Sequence, residues 1–340
     1  MYKGRSLCQK KNAAERTREP AHLQVENEMT EPVNVLIVGA GAIGGLYGAI
    51  LKRAGARVGL VVRSEYDVIK SDGVKITSPL GDLSYQPDGV YRSAEEVDAA
   101  PDYLVVTLKV VDGIDRVAAI KPAVGPNTTI VLIENSIDIE PEIAEAFPDN
   151  RLISALAFVA VSRVGPGSID HKAYGQLTIG NFPSGAGPEV HHFAELLEQG
   201  GVPGVVSDRV VTERWRKAVW NAPFNPVSVL AGGADTRTML QTPGGEDAIR
   251  AMMEEVCAAA KAAGHPLPDD IIEMNIASTH KMPPYYNSMA LDYLNKRPME
   301  VEAILGNLVR AAERSGVEVP RLKTAYALIK MLQANLAKQQ

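Results

Sequence analysis

Three polar side chains recur every four residues in a stretch otherwise rich in apolar and aromatic residues. Lys217, Asn221 and Asn225 lie within R-W-R-K-A-V-W-N-A-P-F-N-P, beside Trp215, Val219, Trp220 and Phe224. At ~100° per helical residue, successive members are offset by about 40°, so they form one polar stripe. Such a stripe among aromatics is unusual for a solvated face. It is also costly in a core, where each unpaired amide loses about 1–3 kcal/mol. A small polar ligand resolves the conflict; a helix-packing network of buried amides is the structural alternative. Pro223 and Pro226 lack the amide N–H and free carbonyls nearby.

A second chemistry is written near the start. Val33–Val38 is an apolar, β-branched run that ends in Gly39-Ala40-Gly41-Ala42-Ile43-Gly44, and an apolar-periodic segment follows. The order strand, glycine turn, helix is the one that binds a dinucleotide pyrophosphate. Gly39 allows the sharp turn, Gly41 lets the phosphates approach the backbone, and Gly44 lets helix and strand pack closely. The helix N-terminus offers unpaired N–H groups and a positive dipole end.

Those two segments need elements to hold them. Arg57–Val62 reads as a second strand ending at Arg63-Ser64. An NAD site places Asp or Glu at about this distance beyond the glycines, whereas a guanidinium suits a 2′-phosphate, so the expected cofactor is NADP. Glu65 would oppose that phosphate if it pointed inward. Tyr103–Lys109 and Thr129–Asn135 read as buried strands, and short strands near Val74–Thr77 and Leu83–Tyr85 are expected beyond the second strand. Gly39, Arg63, Lys109 and Asn135 therefore fall at carboxyl ends of parallel strands, where ligands bind in open α/β sheets. Lys109 also fits a charge opening a surface helix, and Asn135 a plain turn residue.

Residues 151–182, with the turn Gly165-Pro166-Gly167, suggest a hairpin that extends the sheet, followed by a helix near Glu189–Glu198 and a strand at Gly204–Val206. From Asp208 strand signals stop and helical period dominates. The expected architecture is α/β: a Rossmann-like dinucleotide-binding domain over 31–207 and a mostly α-helical domain over 208–340. Residues 1–30 are polar and aperiodic, which suggests a disordered tail with Met29 as a candidate start. In the helical part, Pro298 is placed to begin a helix, making Glu300 a first-turn acid, and Ser288 could be a plain first-turn serine.

Composition sets limits. The 340 residues are 46% hydrophobic and 22% charged, with a net charge of -6. That balance argues against nucleic acid as the main partner. No apolar run approaches the ~20 residues of a membrane span. Two cysteines, Cys8 and Cys257, sit in no metal or redox spacing, which fits a reducing, cytoplasmic compartment without a disulfide framework. No metal site is expected. Several apolar helices are compatible with a homodimer.

The chain resembles the ketopantoate reductases (2-dehydropantoate 2-reductases) from Val33 to Leu332. The resemblance is carried by G-A-G-A-I-G, by V-T-L-K ending at Lys109, by W-R-K-A-V-W-N-A-P-F-N-P, and by S-M-A-L-D…P-M-E-V-E from Ser288 to Glu302. It implies NADPH-dependent reduction of a 2-keto acid held between the domains, with Lys217 as general acid. Asn221, Asn225 and Ser288 then bind substrate. Glu300 lies near the reacting carbonyl and the cofactor, Asn135 touches nicotinamide and substrate, Lys109 binds cofactor and Arg63 lies near the adenosine phosphate. Three positions depart from the family pattern: Ser136 where glycine is usual, Gly232-Gly233-Ala234-Asp235 in a loop that often reads as a glycine-rich Pro-Asn-Gly segment, and Pro284-Tyr285-Tyr286 where polar residues are usual. These bear on the substrate pocket, leaving a reductase of another 2-keto acid as one alternative. A non-catalytic NADP-responsive binding protein and a dehydrogenase of β-hydroxy-acid or opine type are others.

Overall fold

The structure, a computed structural model, describes residues 31–338. The tail expected over 1–30 lies outside the described residues. Ten strands occupy the first two thirds of the chain: β1 Asn34–Val38, β2 Arg57–Val61, β3 Val74–Thr77, β4 Leu83–Tyr85, β5 Gly89–Tyr91, β6 Tyr103–Val106, β7 Thr129–Ile133, β8 Leu152–Gly165, β9 Ser168–Asn181 and β10 Gly204–Val206. They form one sheet in the order β4-β3-β9-β8-β7-β6-β1-β2-β5, with β10 also on β9. Pairing is parallel from β5 to β8, and β8 and β9 form the long antiparallel hairpin expected from the glycine-proline turn.

The central strands are apolar on both faces because both faces are covered. Alternate residues of β1 enter different cores. Val35 and Ile37 pack with the first helix, Ala42–Arg53, and with Phe193 and Leu197 of the helix Pro188–Gln199. Leu36 and Val38 pack on the other side with Leu104, Leu132, Ile120 and Ile143. This is the period of two expected of a doubly covered sheet.

One expectation about the sheet is corrected. β3 and β4 do not lie beyond β2; β5 occupies that edge, while β3 pairs with β9 at the opposite one. Val74 and Ile76 are buried and alternate with exposed Lys75 and Thr77. Their apolar face and Tyr85 close over the first helix, where the Tyr85 hydroxyl donates to the Gly45 carbonyl at 3.3 Å. The sheet thus curls around that helix as a half-barrel, and sequence order alone does not choose between its two edges.

After Val206 the described residues form only helices. The long helix Val210–Leu230 is the hub. It packs on the helices Gly245–Ala262, Ile271–Lys281, Ser288–Leu294 and Pro320–Ala337, and it also touches β8 and β9. Trp215, Val219 and Phe224 enter a core with Met253, Val256 and Leu308. Its polar stripe is thereby turned toward the sheet. A π-helical stretch, Glu302–Gly306, runs directly into the helix Asn307–Arg314. No helix among the described residues is long and apolar enough to cross a membrane.

Candidate active site

Parallel register brings the carboxyl ends of four strands to one rim: Val38 pairs with Val61 and Val106, and Val106 with Leu132. At the end of β1, Gly39 has φ 102°. A Cβ there would stand 3.0 Å from the Leu108 backbone nitrogen. The Thr107 hydroxyl donates to the Gly39 carbonyl, tying the turn to β6. A Cβ on Gly44 would fall 2.5 Å from the Gly39 carbonyl oxygen, whereas one on Gly41 would meet nothing within 4 Å. Ala40, Ala42 and Ile43 fill out the turn and are half-buried. No side chain caps the first helix and no acid lies in its first turn. The turn therefore keeps an open space at Gly41, faced by a positive helix end, and it fits a pyrophosphate. Gly41→Val is expected to leave thermal stability near wild type and abolish nucleotide binding. Gly44→Ala is expected to lower the melting temperature. Differential scanning fluorimetry with and without NADPH checks both, and a Gly41→Val enzyme with intact NADPH affinity overturns the assignment.

Arg63 follows β2 and is exposed; among the described residues no carboxylate pairs with it. Glu65, which would have opposed a phosphate there, points elsewhere. It is buried, pairs with Arg163 at 2.5 Å and accepts the Gly167 N–H at 2.9 Å.

At the ends of β6 and β7 the sheet meets the helical part. Lys109 pairs with Asp292 at 2.5 Å and donates to the Pro298 carbonyl at 3.2 Å. The Val110 N–H donates to Glu300 Oε1 at 3.1 Å. Lys217 Nζ donates to Asn135 Oδ1 at 2.8 Å and to the Ala157 carbonyl at 2.9 Å. Asn135 also stands close enough to Glu300 to favour its charged form, so amine, amide and carboxylate lie in one group. Burial pushes the Lys217 amine down to about 8, helped by the charge of Arg214 and opposed by Glu300. Burial raises the Glu300 carboxyl, against the Val110 N–H and the charge of Lys109.

Glu300 is not the first-turn acid that Pro298 suggested. It precedes the helical stretch that opens at Val301, and its side chain is committed to the loop after β6. Nor do the two indoles enclose Lys217. Trp215 lies about 200° round the helix from it, stacked on His265, and Trp220 Nε1 donates to Thr279 at 3.0 Å. The amine is desolvated by the strand ends instead.

The other expected residues are more spread. Asn221 lines a small pocket with Lys217, Arg214, Ser136, Leu156 and Ile304. Asn225 is 1% exposed and its Oδ1 has no hydrogen-bond partner. It sits about 12 Å further along the helix than Lys217. Ser288 is exposed at the start of its helix, which Asn287 caps by accepting the Ala290 N–H at 2.8 Å. Among the described residues no hydrogen bond joins Asn225 or Ser288 to the Lys217 group.

Arg214 was not picked out from the sequence. It is fully buried, pairs with Glu140, and donates to Ser154 Oγ at 2.7 Å. Its Nη1 donates to the carbonyls of Glu134 and Ser136, each at 2.8 Å. Those carbonyls flank Asn135, so Arg214 fixes the loop that presents Asn135 to Lys217. The signal was available: Arg214 lies three residues before Lys217 and begins the same stripe, whereas Arg216 falls on the exposed side.

The family model described as Ketopantoate reductase PanE/ApbA matches residues 35–184, and that of its C-terminal part matches residues 209–333. The chain belongs to the ketopantoate reductase family. A 2-dehydropantoate 2-reductase from Nostoc is 32% identical over 87% of this chain and 94% of its own. The crystal structure of 2-dehydropantoate 2-reductase from Methylococcus capsulatus is 50% identical, with a TM-score of 0.85, covering 89% of this chain and 98% of that one. The one from Geobacter metallireducens is 30% identical, with a TM-score of 0.84, covering 88% and 100%.

As a ketopantoate reductase, the chain departs from the usual pattern in three places that now have locations. Ser136 takes φ 96°, a conformation suited to glycine, and its hydroxyl donates to the Ala303 carbonyl in the π-helical stretch. Asp235 does not face the pocket; it caps the helix Thr236–Gln241 by accepting the Thr238 N–H at 2.7 Å. Tyr285 is half-buried with its ring 6.4 Å from that of Trp220.

Proposed function

We propose that the protein reduces 2-dehydropantoate to pantoate at the expense of NADPH, with Lys217 as the general acid. Residues 31–207 hold the cofactor and residues 208–340 supply the substrate side of the cleft. The observation that carries the reading is the Lys217–Asn135–Glu300 group at the rim that also holds the glycine turn. Membership of the ketopantoate reductase family supports the substrate and the cofactor.

NADPH, when bound, supplies the hydride that reduces the ketone. The chain's residues do the rest. The N–H groups at Ala42 and beyond receive the diphosphate, and Arg63 receives the 2′-phosphate. Lys109 exchanges part of its pairing with Asp292 for the cofactor. As negative charge grows on the carbonyl oxygen, Lys217 donates its proton there, a step typically worth ~10²–10⁴ in rate. A free lysine is a weak acid for this task; an amine at about 8 is better matched to neutral pH. Asn135 and the Ala157 carbonyl hold the amine in place. Glu300 helps keep it charged and orients the nascent hydroxyl. Asn221, Asn225 and Ser288 bind the carboxylate and the hydroxyl, and the unpartnered carbonyl of Asn225 is one acceptor for that hydroxyl.

The test is NADPH oxidation by the purified protein with 2-dehydropantoate. Tight NADPH binding without turnover of any 2-keto acid would instead support a binding protein. Arg63→Ala is expected to weaken NADPH by about 10–100-fold, the worth of a lost charge-assisted hydrogen bond, and to leave NADH nearly unchanged. Equal effects on both nucleotides remove Arg63 from the phosphate site. The reading includes a cytoplasmic homodimer, and sedimentation of the purified enzyme tests the assembly.

A further inference from the structure

The pocket that holds Lys217 and Asn221 does not end in polar surface. Its wall includes Leu156 on β8. Side chains two residues apart share a strand face, so Phe158 continues that wall outward. Phe158 is 54% exposed and packs on Tyr174, 53% exposed, with ring centroids 4.4 Å apart. The Tyr174 hydroxyl is close enough to raise that of Tyr285, although burial is the larger cause. Tyr285 in turn meets Trp220, the neighbour of Asn221. Two aromatic pairs, Phe158–Tyr174 on the hairpin and Tyr285–Trp220 at the long helix, thus form a rim with one part on each side.

The rim is held in place by the backbone. Tyr174 has φ 66°, a conformation unfavourable for a bulky residue, and it lies in a bulged part of the β8–β9 ladder. Buried His171 clamps the bulge, its Nε2 lying 3.1 Å from the carbonyls of both Ala173 and Tyr174. Gly175, with φ 124°, accepts the Tyr47 hydroxyl at 3.0 Å. Bulges that re-aim a side chain concentrate beside active sites, and local strain persists where the surroundings over-determine it. Burial of the two rings does not account for the strain, because both remain half exposed. Branched aliphatic keto acids as small as 2-dehydropantoate need no such rim.

We infer that the rim of Phe158, Tyr174, Tyr285 and Trp220 is a subsite for an aromatic ring, and that the enzyme also reduces arylpyruvates, 2-keto acids with the ring on the third carbon. The inference rests on the reductase reading above. The reaction keeps the same balance. A hydride from NADPH forms the new C–H bond at the ketone carbon, the C=O π pair moves to oxygen, and Lys217 supplies its proton. NADPH leaves as NADP⁺ and the product is the aryl 2-hydroxy acid. The carboxylate and ketone take the positions of the smaller substrate, while the ring projects past Leu156 to pack against Phe158 and Tyr285.

The experiment measures kcat/KM for phenylpyruvate and for 2-dehydropantoate on the full-length enzyme and on Phe158→Ala, Tyr174→Ala and Val164→Ala. The expected result is NADPH oxidation with both keto acids. The ratio of phenylpyruvate to 2-dehydropantoate then falls by about tenfold in Phe158→Ala and Tyr174→Ala, as loss of an aromatic contact predicts. Val164→Ala, exposed and further along the hairpin, keeps the wild-type ratio. Phe158→Ala alone suffices should Tyr174→Ala fold poorly. Turnover of 2-dehydropantoate without phenylpyruvate overturns the inference and leaves the reductase reading intact. A ratio unmoved by Phe158→Ala also overturns it. NADPH binding with no turnover of either acid defeats both together.

Discussion

Lys217→Ala is expected to lower kcat by about 10²–10⁴-fold while NADPH affinity stays near wild type. The amine contacts Asn135 and the Ala157 carbonyl, beyond β7 and on β8, whereas the glycine turn follows β1, two strands from β7 along the rim, so its loss should not disturb the diphosphate. The sign of the pH dependence follows from its role as proton donor. Its protonated form is the active one, and burial has lowered its pKa to about 8. Turnover should therefore be full below that value and fall as pH rises through it. Stopped-flow titration of NADPH and steady-state rates across pH 6–10 or so separate binding from chemistry. An alanine variant with wild-type kcat, or an unaltered alkaline limb, removes Lys217 from the proton transfer.

Arg214 carries the largest expected effect on stability. Its guanidinium is enclosed, and it joins Glu140, Ser154 and the carbonyls on either side of Asn135. Arg214→Met leaves Glu140 as a buried charge with two neutral donors, the Ser154 hydroxyl and the Ile139 N–H, and leaves two inward carbonyls without their donor. Breaking one side of such a pair costs about 3–5 kcal/mol. Arg214→Lys keeps the charge but not the planar fork, so it should recover only part of the loss. Urea unfolding measures both. An Arg214→Met protein within about 0.5 kcal/mol of wild type, the range of an ordinary surface substitution, contradicts the positioning role. In surviving protein, kcat should fall more than NADPH affinity, because Arg214 acts through Asn135 and Lys217.

The glycine turn, the strand ends at Lys109 and Asn135 and the long helix at Val210–Leu230 were all readable from residue pattern, because each depends on local spacing. Period also turned Lys217 and Asn221 toward one side of the helix. What the pattern could not supply was the partner at long range. Glu300 looked like a helix-capping acid until its contact with Val110 was known. Nothing local in the sequence shows what desolvates Lys217, because its neighbours come from β7 and β8, remote along the chain. β3 and β4 were placed at the wrong edge for the same reason, since their partner β9 lies far along the chain. Arg214 was overlooked because an arginine in a charged stretch reads as surface until the fold encloses it.

The edge that curls over the first helix also dictates an order of assembly. β3 has Lys75 paired with Ser168, so the hairpin of β3 and β4 has no neighbouring strand until the β8–β9 segment exists. On a ribosome, β1, β2, β5 and β6 can align as they emerge, but one flank of the first helix stays uncovered meanwhile. An isolated two-stranded hairpin is marginal in water, and an unpaired strand edge invites association with other chains. The nascent protein is thus most vulnerable to misassembly between the synthesis of Tyr85 and that of Asn181. Fragments ending between those points should be captured by chaperones or aggregate, whereas those extending past β10 should acquire a protease-resistant sheet.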